Sequence, residues 1–395
     1  MTKSKNQHHT DTNLTTSGRD HEQNFGIVNP PVYHASTVTF PTVDALNKAD
    51  SNKFDQVYYG RYGTPTTFAF EQAVADLEGA SHAVALPSGM AAIAVALLGN
   101  VQADDHVLIS DGAYHPTHKF AQSLLKKFGV ETSYYDPMIG SELADLIRPN
   151  TKVVFTESPS SVTFEVSDIS ALADVAHKAG ALVVMDNTWS AGYYFKPFQH
   201  GVDISIQAAT KYIVGHSDAM LGTLTMNDHA LWNQSKITAG ALGHATSGDD
   251  CYLGLRGLRS LAVRLPRHEA NALRLGEWLM AQDHVETVLH PALENCVGHD
   301  VWKRDFSGST GLFGVTLKPG YDQAAIARML DGFDLFSMGY SWGGYESLII
   351  PTDPASSRTT YAWPHKGQCL RIHAGLENVD DLILDLKSGL ERLNA

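Results

Sequence analysis

The sequence predicts an α/β protein built on a mostly parallel β-sheet. Six short apolar runs alternate for the most part with stretches of helical periodicity, and they occupy residues 83–86, 107–110, 130–135, 153–157, 182–186 and 204–208. Their starts lie about 20 to 30 residues apart, which is the length of a strand with its crossover helix. Such sheets are covered by helices on both faces and bind ligands beyond the carboxyl ends of their strands. The residues that follow each run are therefore the candidates for a site.

The chain before this alternation is predicted to be largely irregular. Residues 1–26 are polar and lack the apolar core of a signal peptide, so we expect a mobile tail in which His8, His9 and His21 have no metal-site spacing. Residues 29–40 begin with two prolines and continue with β-branched residues, which predicts an extended arm. The segment YYGRYGTPT at 58–66 predicts a loop, and residues 67–79 predict an amphipathic helix closed by glycine.

Length and composition narrow the functional classes. A chain of 395 residues favours one large domain with a smaller one. With 29 Lys and Arg against 43 Asp and Glu, a net charge of −14 disfavours nucleic acid and anionic membranes as partners. Cys251, Cys296 and Cys369 form no paired motif, which disfavours a disulfide framework or a zinc site and fits a reducing cytoplasm.

The C-terminal part loses the regular alternation from about residue 258. A long helical pattern at 261–282 is followed by strand patterns at 311–317 and 369–374 and by helical patterns at 322–330 and 379–392. Mixed elements without strict alternation predict a smaller α+β domain.

Lys211 follows the alternating run within DISIQAATKYIVGHSD, at residues 203–218. Its nearest basic neighbours are Lys196 and Lys236, so it does not belong to a basic patch. A desolvated lysine is a nucleophilic amine suited to Schiff-base chemistry. On this stretch alone, an ordinary lysine at a strand end is the commoner explanation.

Other strand ends supply groups that complement this lysine. Gly89 and Met90 follow the first run at a helix start, where free N–H groups suit a phosphate, although simple helix capping gives the same pattern. Tyr114 follows the second run, and Asp186 ends the fifth, where a structural aspartate is an equal alternative. Jointly, a phosphate cradle, an aromatic ring, an acid and a lysine are the requirements of pyridoxal 5′-phosphate (PLP).

Longer stretches of the chain resemble the transsulfuration (Cys/Met metabolism) family of PLP-dependent enzymes. They are YYGRYGTPT, LPSGMAA, MDNTW, SIQAATKYIVGHSDAM, RGLRSLAVRL, WKRDFSGSTGLF, LFSMGYSWGGYESLI and LRIHAGLE. The resemblance covers nearly the whole chain after the polar tail. It implies the aspartate-aminotransferase-like fold (fold type I), with a mostly parallel seven-stranded sheet in the large domain and a smaller C-terminal α+β domain. We expect an extended arm at 1–63 that contacts a neighbouring subunit, a PLP-binding domain at 64–257 and a small domain at 258–395.

The same resemblance implies roles for individual residues. Lys211 would be the Schiff-base lysine and the base at the substrate Cα, Asp186 would pair with the pyridinium nitrogen, and Tyr114 would stack on the ring. Gly89, Met90 and Thr210 would bind the phosphate within the subunit, and Tyr59 and Arg61 would reach the phosphate of a neighbouring subunit. Arg371, with Ser341 and Trp342, would bind the substrate α-carboxylate, and Tyr59 would also contact the substrate. No metal is implied.

The implied activity is β-elimination of L-cystathionine to homocysteine, pyruvate and ammonia, extending to cysteine, cystine and other cysteine S-conjugates. The enzyme would be a cytoplasmic homo-oligomer, a tetramer by resemblance, with active sites shared across a dimer. Gly240 stands where the β-eliminating members carry a tyrosine, which leaves the substrate preference open. Two alternatives remain, namely a relative with γ-chemistry and a PLP-binding regulator without turnover. The latter is disfavoured by the absence of a basic stripe in the sequence.

Overall fold

The computed structural model describes residues 8–394, and within them the larger sheet has seven strands. They are β1 (His82–Leu86), β2 (His106–Ser110), β3 (Glu131–Tyr135), β4 (Thr151–Glu157), β5 (Leu182–Asp186), β6 (Ile204–Gln207) and β7 (Gly222–Met226). Their order is β1-β7-β6-β5-β4-β2-β3. The strands β2 to β6 pair in parallel, whereas β7 is antiparallel to both of its neighbours. The predicted mostly parallel seven-stranded sheet is confirmed.

Helices cover both faces of this sheet. The helices of the chain up to residue 280 are α1 (Thr10–Thr16), α2 (Val43–Ser51), α3 (Pro65–Glu78), α4 (Gly89–Leu98), α5 (His115–Phe120), α6 (Ile169–Lys178), α7 (His229–Ala241) and α8 (Gly248–Met280). Val107 and Ile109 of β2 belong to the apolar cluster that contains α4, whereas Leu108 between them belongs to the cluster that contains α6. Successive side chains of a strand point to opposite faces, so a sheet buried on both faces gives continuous apolar runs.

A second sheet follows α8. It consists of β8 (Val285–Leu289), β9 (Leu312–Leu317), β10 (Leu348–Thr352) and β11 (Cys369–His373), in the antiparallel order β10-β11-β9-β8. The accompanying helices are α9 (His299–Asp305), α10 (Gln323–Asp331), α11 (Pro354–Ser357) and α12 (Val379–Glu391). The smaller α+β part is therefore present. The expected division at residue 258 falls inside α8 and stays a prediction, and residues 1–7 and 395 of the expected domains lie outside the described residues.

The N-terminal segment differs from the sequence-based expectation. The predicted mobile tail contains α1, in which Leu14 is buried. The Arg259 guanidinium on α8 donates to the carbonyl oxygens of Leu14 at 2.5 Å and Ser17 at 2.8 Å. The prediction was wrong from residue 10, because these tertiary contacts order a polar segment that has no strong helical pattern of its own. Part of the expected extended arm is also helical, since α2 lies within it.

None of the helices between residues 8 and 394 is both long enough and apolar enough to cross a membrane.

Candidate active site

Polar side chains meet at the carboxyl edge of the parallel strands. Glu157 ends β4 and Asp186 ends β5, and the two residues are direct partners in the strand register. Paired residues of neighbouring strands project to the same face, so the two carboxyl groups are neighbours. The backbone N–H of Tyr114 donates to Glu157 Oε2 at 2.7 Å. The structure therefore brings together the strand ends that the sequence singled out.

Lys211 lies in the turn that follows β6, partly buried against the loop before β10. Its Nζ donates to the Ser341 hydroxyl at 2.7 Å and lies 5.5 Å from the centre of the Trp342 ring. Burial and, to a lesser extent, the Arg371 charge lower the pKa of Lys211 to about 8, while the Asp186 charge acts in the opposite direction. A lysine with this pKa is partly neutral near pH 7 and can act as a nucleophile or base.

Asp186 is a buried acid fixed from one side by Thr188. Its Oδ1 accepts the Thr188 backbone N–H at 3.0 Å and the Thr188 hydroxyl at 2.5 Å. Burial raises the pKa of Asp186, while the two Thr188 donors and the Lys211 charge act to lower it. The Thr188 hydroxyl oxygen in turn accepts the backbone N–H of Ala208 at 2.8 Å, so one threonine connects the acid to the segment that leads to Lys211.

The loop from residue 341 to 344 connects Lys211 to the small sheet. Arg371 on β11 donates through Nη2 to the Ser341 carbonyl at 3.0 Å. Ser341 has a φ of 79°, a left-handed conformation that is strained for a residue with a side chain. Gly343, also left-handed with a φ of 87°, approaches Lys211 so closely that a Cβ there would lie 3.1 Å from Lys211 Cα. His373 Nε2 accepts the Gly343 N–H at 3.2 Å.

The start of α4 has the form of a phosphate cradle. The Ser88 hydroxyl caps the helix by accepting the N–H of Ala91 at 3.1 Å, a bond that does not use the preceding N–H groups of Gly89 and Met90. Glycine is required at 89, because a Cβ there would lie 2.6 Å from the Cβ of Ala208. The first N–H groups of a helix, approached this closely by the lysine segment, form a ready anion site.

Thr210, the other residue expected to bind the phosphate within the chain, also holds a loop together. The Thr210 hydroxyl donates to the Leu221 carbonyl at 3.1 Å and accepts the Leu221 N–H at 2.8 Å, which closes the loop that carries Lys211. Tyr114 precedes α5, and its side chain remains 45% exposed, which leaves a ring face available for stacking. Burial, followed by the Glu157 and Asp186 charges, raises the pKa of the Tyr114 hydroxyl.

Tyr59 and Arg61 make their contacts elsewhere. Arg61 donates through Nη1 to the carbonyl of Gly240 in α7 at 2.7 Å and through Nη2 to the Tyr62 hydroxyl at 3.1 Å, and Tyr59 is 41% exposed. A Cβ at Gly240 would lie 3.2 Å from Tyr62 Cε1. Gly240 therefore faces the segment that carries Arg61, a proximity that the sequence did not reveal.

Three residues of the site were not predicted from the sequence, namely Glu157, Thr188 and His373. Thr188 and Glu157 follow or end apolar runs, which was a usable signal. His373 had none, because one histidine inside a strand pattern is ordinarily a core residue. Burial lowers the pKa of His373 well below its usual value, which keeps the ring neutral, and its Nε2 lies 3.2 Å from the Gly343 nitrogen and 3.1 Å from the Gly344 carbonyl oxygen.

The chemistry of this donor set fits PLP. The site offers a buried lysine of lowered pKa, an acid beside it, an exposed aromatic face and a helix start at which any side chain larger than glycine would collide. Those features define the class of PLP-dependent enzymes with a lysine-bound cofactor.

The chain belongs to the family described as Cys/Met metabolism PLP-dependent enzyme, which it matches over residues 11–391. It is 44% identical to cystathionine beta-lyase of Escherichia coli (strain K12) over 389 residues, 97% of this chain and 98% of that protein. It is 43% identical to cystathionine beta-lyase of Salmonella typhimurium, also over 97% of this chain and 98% of the other. Among solved structures, cystathionine gamma synthase from Xanthomonas oryzae in complex with aminoacrylate and cysteine is similar with a TM-score of 0.89, 32% identity, and coverage of 98% and 99% of the two chains.

These similarities confirm the resemblance, the fold class and the PLP cofactor inferred from the sequence. The roles of individual residues stay predictions.

Proposed function

We propose that the protein is a carbon–sulfur lyase that catalyses the PLP-dependent β-elimination of L-cystathionine to homocysteine, pyruvate and ammonia. One observation carries the proposal. A single residue, Ser341, accepts a hydrogen bond from the Lys211 amine on its hydroxyl and one from the Arg371 guanidinium on its carbonyl, so the amine proposed to transfer the proton and the guanidinium proposed to bind the carboxylate share one neighbour. The similarity to cystathionine beta-lyases over nearly the full chain supports the same reaction.

Arg371, on the small sheet, would orient the substrate. Arg371 would bind the α-carboxylate, because its planar fork can donate two parallel hydrogen bonds to a carboxylate. Burial lowers the pKa of Arg371 but leaves the guanidinium charged at neutral pH. Ser341 and Trp342 would complete this subsite, since Ser341 fixes the arginine and the Trp342 ring lies beside Lys211.

Proton transfer falls to Lys211. Its neutral amine would remove the substrate Cα proton, and the resulting ammonium, or Tyr114, would return a proton to the departing sulfur. PLP, when bound, supplies an electron-accepting ring that stabilises the electron pair left at Cα. Asp186 would hold a proton on the ring nitrogen, Tyr114 would cover one ring face, and Gly89, Met90 and Thr210 would hold the phosphate.

The proposal includes an oligomer with shared sites. In its own chain Arg61 bonds to α7 rather than lying at Lys211, and Tyr59 is 41% exposed, which supports a role for Arg61 at a neighbouring subunit's phosphate and for Tyr59 at that phosphate and the substrate. We propose a cytoplasmic homotetramer made of two such dimers, acting on small amino acids without nucleic-acid or membrane partners.

Gly240 bears on how many different substrates the proposed enzyme accepts. A tyrosine at this position would contact Tyr62 beside Arg61, so glycine leaves space next to the arm that is proposed to reach the neighbouring site. We propose that cysteine, cystine and other S-substituted cysteines are also cleaved.

Borohydride reduction of the purified yellow protein tests the cofactor site. The label is expected on Lys211. Lys196 is an internal comparison, because burial also lowers its pKa to about 8, but its Nζ donates to the carbonyls of Leu77 and Gly192. Label on Lys196 or elsewhere would refute the assignment.

Product analysis tests the reaction. Cystathionine should give pyruvate and homocysteine, with kcat/KM compared across cystathionine, cystine, cysteine and S-alkyl cysteines. Formation of 2-oxobutanoate would instead identify the γ-chemistry of the similar synthase, and turnover no faster than with free PLP would identify a binding protein.

A further inference from the structure

Glu78 is a fully buried carboxylate beneath the candidate active site. It is the last residue of α3, and its side chain is 0% exposed. Its Oε1 accepts from three side-chain donors, Asn187 Nδ2 at 2.9 Å, Ser205 Oγ at 2.9 Å and Gln207 Nε2 at 2.8 Å, and its Oε2 accepts from the Thr225 hydroxyl. Within residues 8–394, no basic side chain forms an ion pair with it; Lys196 interacts with its charge, but the Lys196 amine donates its hydrogen bonds to backbone carbonyls.

Two of the partners of Glu78, Asn187 and Gln207, lie at the ends of the two strands that carry the candidate chemistry. Asn187 directly follows Asp186, and Gln207 ends β6 directly before Ala208 and the turn of Lys211. Gln207 also donates to the Asn187 carbonyl at 2.9 Å. One carboxylate thus fixes the spacing between the strand end of the acid and the strand end that leads to the lysine.

Stability alone does not account for such a group. A buried carboxylate without a direct cation costs more than an apolar side chain of the same volume, even when its oxygens are fully hydrogen-bonded. Glu71, which precedes Glu78 in α3, shows how a carboxylate of low exposure is ordinarily neutralised, because its Oε1 forms an ion pair with Lys236 Nζ at 2.6 Å. Glu78 has no such ion pair within residues 8–394, and its charge adds to burial in raising the pKa of Asp186.

We propose that Glu78 is a positioning residue for PLP, which holds the ends of β5 and β6 in register through Asn187 and Gln207 and adds a second negative charge near Asp186, the acid that would pair with the ring nitrogen. The inference rests on the cofactor site proposed above. It assigns Glu78 no contact with substrate.

The test uses Glu78→Gln, Glu78→Asp and the matched control Glu71→Gln in the full-length holoenzyme. Borohydride labelling of wild type at Lys211 comes first, so that a failure of the site itself is recognised separately. Two quantities are then measured, the Kd for PLP and the pH at which the visible absorption of the bound cofactor titrates. The other charged or titratable groups around that chromophore are common to all variants, namely Asp186, Lys211, Arg371, His373, Tyr114 and Glu157.

Glu78→Gln removes the charge and keeps the shape. Because a nearby negative charge favours the protonated chromophore, its titration should move down by about half to one pH unit. The Kd for PLP should rise about fivefold or more, since an amide cannot accept from every donor. Glu78→Asp keeps the charge but shortens the reach, so the Kd should rise while the titration stays near that of wild type.

Glu71→Gln should lower thermal stability without moving either quantity. The inference is overturned if Glu78→Gln behaves in the same way as this control, with an unchanged titration and an unchanged Kd. If Glu78→Gln does not fold, Glu78→Asp decides alone, and a Kd equal to that of wild type overturns the inference.

Discussion

Replacing Lys211 by methionine should make the PLP-free protein more stable, although it removes the proposed catalytic group. Burial lowers the pKa of this lysine from 10.5 to about 8. At about 1.4 kcal/mol per pH unit, this corresponds to a cost of about 3 kcal/mol for the charged lysine in the folded state near neutral pH. Methionine fills a similar volume without charge, and loss of the bond to Ser341 costs about 1 kcal/mol. The expected net gain is about 2 kcal/mol.

The gain should depend on pH with a defined sign. Between about pH 8 and 10.5 the unfolded chain binds the Lys211 proton and the folded protein does not, so wild-type stability rises with pH relative to the variant. The advantage of Lys211→Met is therefore full below about pH 8 and falls as the pH rises, until near 10.5 only the cost of the lost Ser341 bond remains. Urea unfolding of both PLP-free proteins, at one protomer concentration and at several pH values, measures the difference.

Lys196→Met is the matched control. Its lysine has the same lowered pKa of about 8, but its Nζ satisfies two backbone carbonyls, which the variant would leave unpaired. We expect a smaller gain or a loss at this position. The reasoning would be refuted if Lys211→Met were no more stable than wild type near neutral pH. It would also be refuted if the difference in unfolding free energy between the two proteins did not change with pH.

Three further predictions concern function. Arg371→Lys should lower kcat/KM for cystathionine about tenfold or more, because lysine cannot donate two parallel bonds to the α-carboxylate; equal kcat/KM in the pyruvate assay would remove Arg371 from the substrate site. Mixing inactive Lys211→Ala with inactive Arg61→Ala subunits should restore part of the activity if sites are shared, and verified mixed dimers without activity would argue against sharing. Gly240→Tyr should contact Tyr62 and raise the preference for cystathionine over cysteine about threefold or more, as measured by the ratio of kcat/KM values; an unchanged ratio would show that this position does not set specificity.

The parallel strands were predictable because burial on both faces gives them an unmistakable pattern. All six apolar runs correspond to strands β1 to β6 within a residue or two at each end. The seventh strand, β7, had not been located in the sequence. Its sequence GTLTM alternates threonine with apolar residues, and it enters the sheet antiparallel without a crossover helix, so neither the spacing nor the composition marked it. The long helix α8 begins at Gly248, well before residue 261, where the sequence pattern predicted its start. The pattern did not reveal the first turns, because they include glycines and two adjacent aspartates.

The site was predictable where chemistry and position coincide. Lys211 and Asp186 stand at strand ends, and the sheet rule alone directs attention there. Glu78 was beyond the reach of that rule, because an acidic residue at the end of an amphipathic helix ordinarily faces solvent. Only the fold shows that this last turn of α3 points into the sheet, where Asn187, Ser205 and Gln207 converge on it.

At Ser341, the requirements of stability and of activity favour different residues. Its left-handed φ of 79° would be relaxed by glycine, which adopts that conformation without a steric penalty. Its hydroxyl, however, is the acceptor for Lys211. A library randomised at position 341 and screened only for heat tolerance should therefore enrich glycine, whereas the same library screened for growth that depends on turnover should return serine. Thermostabilisation campaigns on this enzyme would do well to leave that codon fixed.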